Sequence, residues 1–286
     1  MHRIVAVLIG LMALPLFAQN SVIDQGRAAM ARNDADAAVT LFEKAVAQNP
    51  KSAEAHYRLG TAYELQGQSA GMMGQAASAS KTHDELEKAI ALDPNHLPAR
   101  YALLQYYTMV AGFTGGSYDD ALAQAAEIKK RDAQMGHRAA AFIYSNQKKT
   151  DEAMKESLDE VKEFPKSPRA HLDLAIRYSS AKNYKAAVDE LETALKLDAA
   201  FMPAAFRIGQ YTVLGNGNLA RGEAVLRKYL AYTPKDDDPP LARAHYWLGQ
   251  IFEKQGKKAE AKASFTASLK LNPNQKDVAE ALKRVS

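Results

Sequence analysis

The chain of 286 residues has no cysteine and a single tryptophan, Trp247. Without cysteine there are no disulfides, no thiolate zinc sites and no lipid attachment through an N-terminal cysteine. Charge of one sign is also scarce, with 37 basic residues against 33 acidic ones for a net of +4. Nucleic-acid recognition leads one to expect a basic stripe, and so small and interspersed an excess does not supply it, so no nucleic-acid partner is expected. Hydrophobic residues make up 47% and charged residues 24%, the balance of a folded chain that neither is disordered nor spans a membrane throughout. One globular core of this length would ordinarily divide, a limit that a stacked array escapes.

The one long apolar run opens the chain. MHRIVAVLIGLMALPLFA starts with His2 and Arg3, continues through an apolar stretch from Ile4 to Phe17 broken by Pro15, and ends at Ala18 before polar Gln19 and Asn20. The run is shorter than the roughly 20 residues that cross a bilayer. Residues 1–18 therefore read as an export signal cleaved after Ala18, although Leu16 is bulkier than usual three places before the cut. The alternative is an uncleaved anchor. The expected location is periplasmic or secreted, with no membrane span after cleavage.

What remains is helical punctuation. In ARAHYWLGQIFEKQGKKAEAKASFTASLKLNPNQ, residues 242–275, apolar or small residues recur at Leu248, Gly249 and Phe252, then at Ala261, Phe265 and Leu269. Gly256 separates the runs and Pro273 closes the second, which predicts two short amphipathic helices joined by a tight turn. The order His245-x-x-Leu248-Gly249-x-x-Phe252, Ala261-x-x-x-Phe265, Pro273 resembles the tetratricopeptide (TPR) signature, with His in the usual Trp slot and Phe in the Tyr slot. Neither helix buries its apolar face alone. The resemblance implies an all-α solenoid, a right-handed superhelix of about seven helix-turn-helix repeats plus a C-terminal capping helix.

The copies run approximately 19–52, 53–96, 97–133, 134–167, 168–201, 202–235 and 242–275, with the cap at 276–286. The first has Gly26, Ala38, Phe42, Ala45 and Pro50, and the second His56, Leu59, Gly60, Tyr63, Leu86, Ala89 and Pro94. Pro50 to Pro94 is about ten residues longer than the ~34-residue repeat. The excess lies in GQSAGMMGQAASASK, residues 67–81, whose Ala/Ser/Lys tail could lengthen the second helix and leave Gly67 to Gly74 as a turn or loop. Its pair Met72 and Met73 is expected to cover the neighbouring hairpin rather than to meet a partner. The third copy carries Leu104 where Gly is expected, and an expanded turn, MVAGFTGGSYDD, in which Gly112, Gly115 and Gly116 argue against regular helix. The fourth is the weakest, with Ser157 and Glu160 where apolar residues would help. The fifth has Ala175 and Ala187, the sixth Gly209 and Gly222. KDDDPP, Lys235 to Pro240, reads as a solvated linker. Near the end of the chain, Asp277 could cap a last helix bearing Val278, Leu282 and Val285 on one side.

Gly inside a helix costs about 1 kcal/mol relative to Ala, so Gly26, Gly60, Gly209 and Gly249 at one slot need a cause. Close approach of the two helices supplies it, with Ala38, Ala121, Ala153, Ala187 and Ala261 expected opposite.

No chemistry emerges from the motifs. His56, His137, His171 and His245 share one slot in four repeats, the mark of a packing position, and slots in adjacent repeats stand about 10 Å apart, too far for ligands that must sit ~2 Å from a zinc ion. Gly112 to Gly116 lacks the Lys-Ser or Lys-Thr and the preceding strand of a phosphate loop. Asp236, Asp237 and Asp238 lack the spacing of an EF-hand. There is no G-x-S-x-G, no H-E-x-x-H and no carboxylate pair set apart from surface charge. No enzyme activity, cofactor or metal is expected.

In TPR arrays the first helix of each copy lines the concave side, as the resemblance implies. Tyr57, Tyr101, Arg138, Leu172, Phe206 and Tyr246 follow the His/Trp slot, and Thr61, Gln105, Phe142, Ile176, Gln210 and Gln250 lie one turn on. Arg58, Arg207 and Trp247 border them. This mixture of rings, amides and Arg is enriched at protein interfaces, although rings at such positions also simply pad an inner wall. TPR domains that clamp a C-terminal carboxylate use Lys and Asn at these inner slots, where this chain has Tyr and Leu. The preferred reading is a non-catalytic interaction scaffold of the cell envelope binding a protein or peptide in its concave groove. The alternative is an envelope glycan-binding or assembly component using the same rings.

Overall fold

The computed structural model describes residues 13–114, 117–235 and 238–286, with side chains from Ser21 on except at 72 and 111–114. All regular structure among the described residues is α-helical. The chain divides into two compact units, Met1–Asn146 and Gln147–Ser286. The expected leader falls largely outside the described residues.

The first unit holds α1 (Ala13–Ala31), α2 (Ala35–Gln48), α3 (Ala53–Ser69), α4 (Met72–Leu92), α5 (Leu97–Thr114), α6 (Tyr118–Lys129) and α7 (Ala133–Asn146). Each packs on the next in the chain, and α1, α3, α5 and α7 also touch in succession. The second unit holds α8 (Thr150–Glu163), α9 (Pro168–Ser180), α10 (Tyr184–Leu197), α11 (Met202–Leu214), α12 (Leu219–Leu230), α13 (Leu241–Lys254), α14 (Lys258–Leu271) and α15 (Lys276–Arg284). Again each helix packs on its successor, and α9, α11 and α13 touch in turn. Contacts confined to near neighbours are those of stacked repeats.

Local sequence fixes where the helices stop. Asp34, Ser52, Ser167, Asn183 and Asn218 cap helix starts by accepting from the backbone N–H three residues on. Within hairpins, the turn residues Asn33, Lys182, Asn216 and Gly256 take positive φ, and the following N–H groups bond back to the last turn of the first helix. Between hairpins, Asn49, Asp93, Asp198 and Asn272 each accept from the N–H two residues on, an Asx turn that aims the chain into the next helix.

The shared His slot is a structural joint. His56 puts Nδ1 2.5 Å from Glu85 Oε2 and Nε2 3.1 Å from the Pro50 carbonyl. His171 repeats this with Glu190 at 2.6 Å and the Pro165 carbonyl at 3.1 Å. Arg100 does the same work in the third copy, donating to the Pro94 carbonyl and to Gln124 Oε1. One buried polar side chain thereby ties the end of one hairpin to both helices of the next.

The small slots are filled from a different position than expected. A Cβ on Gly26 would lie 2.5 Å from the Phe42 ring, one on Gly249 2.5 Å from the Phe265 ring and one on Gly60 3.1 Å from Leu86; Gly209 meets Leu226. The partner is the large residue one turn beyond Ala38 or Ala261, and the alanines themselves are not the nearest neighbours. Where the first helix offers Leu104, the buried cluster contains Ala125 in place of a large residue, and Ala175 shares its cluster with Leu191. In these hairpins a small residue on one helix is matched by a large one on the other, whereas the fourth has Ala141 and Ser157, small residues at both positions.

The structure also corrects the two irregular stretches. The turn expected from Gly67 to Gly74 is only Ala70 and Gly71: α3 runs through Gly67 to Ser69, and α4 starts at Met72. A Cβ on Gly67 would sit 3.0 Å from that of Ser78, so small residues let both helices continue side by side. Gly112, expected to interrupt helix, lies inside α5, since its penalty of about 1 kcal/mol is easily outweighed by packing. Gly115 and Gly116 lie outside the described residues, as do Asp236 and Asp237. Met73, expected against a hairpin, is 89% exposed. Ser157 and Glu160 are buried, as their spacing required. Asp277 does not cap α15, whose N-cap is Gln275; Val278, Ala281 and Val285 bury its inner side.

Gly249→Leu should lower the thermal midpoint, with a cost of about 1–3 kcal/mol from overpacking. A second change, Phe265→Ala, should recover part of the loss. An unchanged melting curve for the single variant would refute the pairing.

Candidate functional site

In the first unit, the face formed by the first helices carries Tyr57, Arg58 and Thr61 on α3, Tyr101 and Gln105 on α5, and Arg138 and Phe142 on α7. All are half-buried except Gln105, which is exposed. The Tyr101 and Phe142 rings lie 6.5 Å apart, so the face is continuous from α5 to α7. Tyr57 sits among polar groups: the His96 ring is 5.1 Å away and the Arg58 guanidinium 5.0 Å above it. Glu54 holds both neighbours, accepting from Arg58 Nε at 2.7 Å and lying 3.1 Å from His96 Nε2. Burial acts to raise the Glu54 carboxyl, but these two bonds hold it below the usual carboxylate range. Thr61 bonds back to the Arg58 carbonyl. His96 and Glu54 were not among the residues singled out from sequence, because they stand 42 residues apart, at the two ends of the second copy.

In the second unit the expected ladder is only partly on the face. Phe206 and Trp247, expected to face a partner, are corrected to core positions at 4% and 8% exposure. Phe206 packs against Tyr229, with ring centroids 5.3 Å apart. Leu172 is buried too. Position on a helical wheel could not distinguish them from Tyr57, because the bulk needed under α11 and α13 is set by their neighbours. Arg207, Gln210, Tyr246 and Gln250 remain half-buried. Arg207 donates to Gln210 at 2.8 Å, and the Gln250 side-chain nitrogen is buried without a hydrogen-bond partner among the described residues. Tyr246 stacks edge-on against Trp247 at 4.9 Å, with the Arg243 guanidinium 4.3 Å from its ring. Arg243 also reaches Asp277 of α15 at 2.6 Å.

A cleft of about 470 Å³ opens among α3, α4 and α5, lined by Glu64, Gly67, Gln75, Ala79, Tyr106 and Met109 among others. Nearby, His83 Nε2 lies 3.2 Å from the Tyr107 hydroxyl, and burial, then Glu87, push that phenol up to about 12. Among the described residues no group of three or more His, Asp or Glu is placed to hold a metal ion, and no helix is long and apolar enough to cross a membrane.

Comparison with known proteins bears on the repeats. A family model described as tetratricopeptide repeat matches residues 23–79, and a second of the same description matches 242–275. No curated protein matches the sequence. Among solved structures, a tetratricopeptide repeat protein from Parabacteroides merdae ATCC 43184 is 15% identical with a TM-score of 0.56, over 94% of this chain and 99% of that one. Yeast Tom70 is 15% identical with a TM-score of 0.59, over 93% of this chain and 63% of its own. Human IFIT1, solved as a dimer with m7Gppp-AAAA, is 17% identical with a TM-score of 0.61, over 93% and 63%. At such identities these likenesses speak for the fold.

The Arg243–Asp277 pair gives a pH dependence. Burial acts to raise the Asp277 carboxyl, but Arg243 holds it below the ordinary aspartate value. A depressed folded-state pKa contributes stability above the unfolded value and loses it as pH falls through the folded one. Hydrogen-exchange protection in α15 should therefore weaken below about pH 4. Asp277→Asn should show the weakened protection at neutral pH and little further change on acidification. Equal protection in both proteins at pH 7 would refute the tie.

Proposed function

The chain is a tetratricopeptide repeat protein, and from that premise we propose that it is a non-catalytic scaffold of the cell envelope, periplasmic or secreted, that holds a protein or peptide along the face of its first helices. The observation that carries this reading is the set of half-buried rings on three successive first helices of one unit, Tyr57, Tyr101 and Phe142. Rings lose little rotamer freedom on binding and offer large apolar area, which is why they dominate interface energetics. Exposed Gln105, and in the second unit the half-buried Gln210 and Tyr246, supply groups that can bond a peptide backbone. A nucleic-acid partner fits less well: Arg58, Arg207 and Arg243 are each already engaged by a carboxylate or an amide.

Peptides selected by display on the immobilised chain should lose about 10- to 100-fold in affinity to the Tyr57→Ala/Tyr101→Ala variant, the worth of two truncated interface rings. The variant should keep its helical circular dichroism. Peptide affinity untouched by the change would sink the assignment; retained peptide binding with lost affinity for cell-wall glycan would transfer the face to the sugar ligand.

Export is tested separately. Residues 1–30 fused to a reporter active only outside the cytoplasm should give activity, and the exported chain should begin at Gln19. A full-length, membrane-held product would instead make the leader an anchor.

A further inference from the structure

In the first unit the repeat departs from its regular length in the second and third copies, and both departures meet at the cleft among α3, α4 and α5. Gly67, Gln75 and Ala79 belong to the 67–81 insertion of the second copy, and Met109 and Val110 lie in the lengthened α5 of the third. Added residues that only extended a loop would have no reason to enclose a common space. Here they carry three helices past the ordinary hairpin tip and wall off a mostly apolar volume of about 470 Å³, within the range of ligand sites.

The lining carries one charge. Glu64 makes no hydrogen bond or ion pair among the described residues, while Lys81, on the same stretch of α4, sits over the Tyr63 ring at 4.8 Å. Solvent reaches Glu64 at the mouth, yet the surrounding protein still pushes its carboxyl up. Met109 is 47% exposed at this end of α5, an adaptable apolar surface left open to solvent. Glu64 follows Tyr57 by seven residues, so it lies two turns further along the same side of α3.

We propose that this cleft is a second binding site, taking a peptide segment in which an apolar side chain stands beside a lysine: the apolar group fills the space against Tyr106 and Met109, and the ammonium pairs with Glu64. The existence of the site follows from the cleft and its lone carboxylate; the choice of a peptide as occupant rests on the function proposed above. A lysine supplies the charge that Glu64 lacks, and an acidic residue at the same place would be repelled.

The test is fluorescence anisotropy on the full chain with three dye-labelled heptapeptides that share a Leu-Phe centre and differ in the next residue, Lys, Gln or Glu. The Lys peptide should bind up to about fivefold more tightly than the Gln peptide, the upper end for a partly exposed ion pair, and the Glu peptide least. Glu64→Gln, at the mouth, should leave the fold intact and erase the difference between the Lys and Gln peptides. Ala79→Leu, checked for retained helicity and melting, should fill the cleft and weaken all three. Tyr57→Ala/Tyr101→Ala should keep the order of the three peptides whatever becomes of the first-helix face. Equal affinities in the unmodified chain, no binding at all, or no effect of Glu64→Gln would each overturn the proposal. Loss of all three peptides in the Tyr57/Tyr101 variant would assign them to the first-helix face and overturn it too.

Discussion

Everything in both units depends on how closely the two helices of a hairpin approach. A helix of about fourteen residues is marginal alone and owes its stability to the face it buries. In four hairpins that burial turns on one contact, where a large side chain from the second helix enters a space left by Gly in the first: Phe42 at Gly26, Leu86 at Gly60, Leu226 at Gly209 and Phe265 at Gly249. The third hairpin exchanges the roles, since Leu104 comes with Ala125.

A second constraint acts between hairpins. The last turn of one ends in an Asx turn, and the buried His or Arg of the next reaches back to the proline carbonyl that follows it. A buried polar side chain is costly unless satisfied, and here the joint between repeats is what satisfies it. The geometry between successive repeats is thereby set by directional bonds as well as by packing. Tyr57 and Tyr101 come into line because each directly follows a slot fixed in this way.

Much of this was legible in the residues. The helical class, the small slots and the packing role of His56 and His171 follow from spacing alone, because each is a local pattern repeated at a fixed period. The partner of each small slot was misassigned by one turn, since spacing shows which face a residue shares but not how far two helices slide along each other. Phe206 and Trp247 failed for a related reason: position on a helix wheel is the same for a ring that lies over a groove and one that drops into the core. The cleft was missed because glycine was read as a helix breaker. Gly67, Gly74 and Gly112 are inside helices, and the departures from repeat length were the signal that something had been built there.

Arg243 lies over the ring of Tyr246 while its guanidinium holds Asp277 on the terminal helix. One cation thus serves both the open face and the lid. Any molecule that lies flat on Tyr246 must displace that cation or share the ring with it, so its occupancy and the fraying of the C-terminus become thermodynamically linked. Docking at the last repeat would then be felt at the end of the chain without any change in the fold.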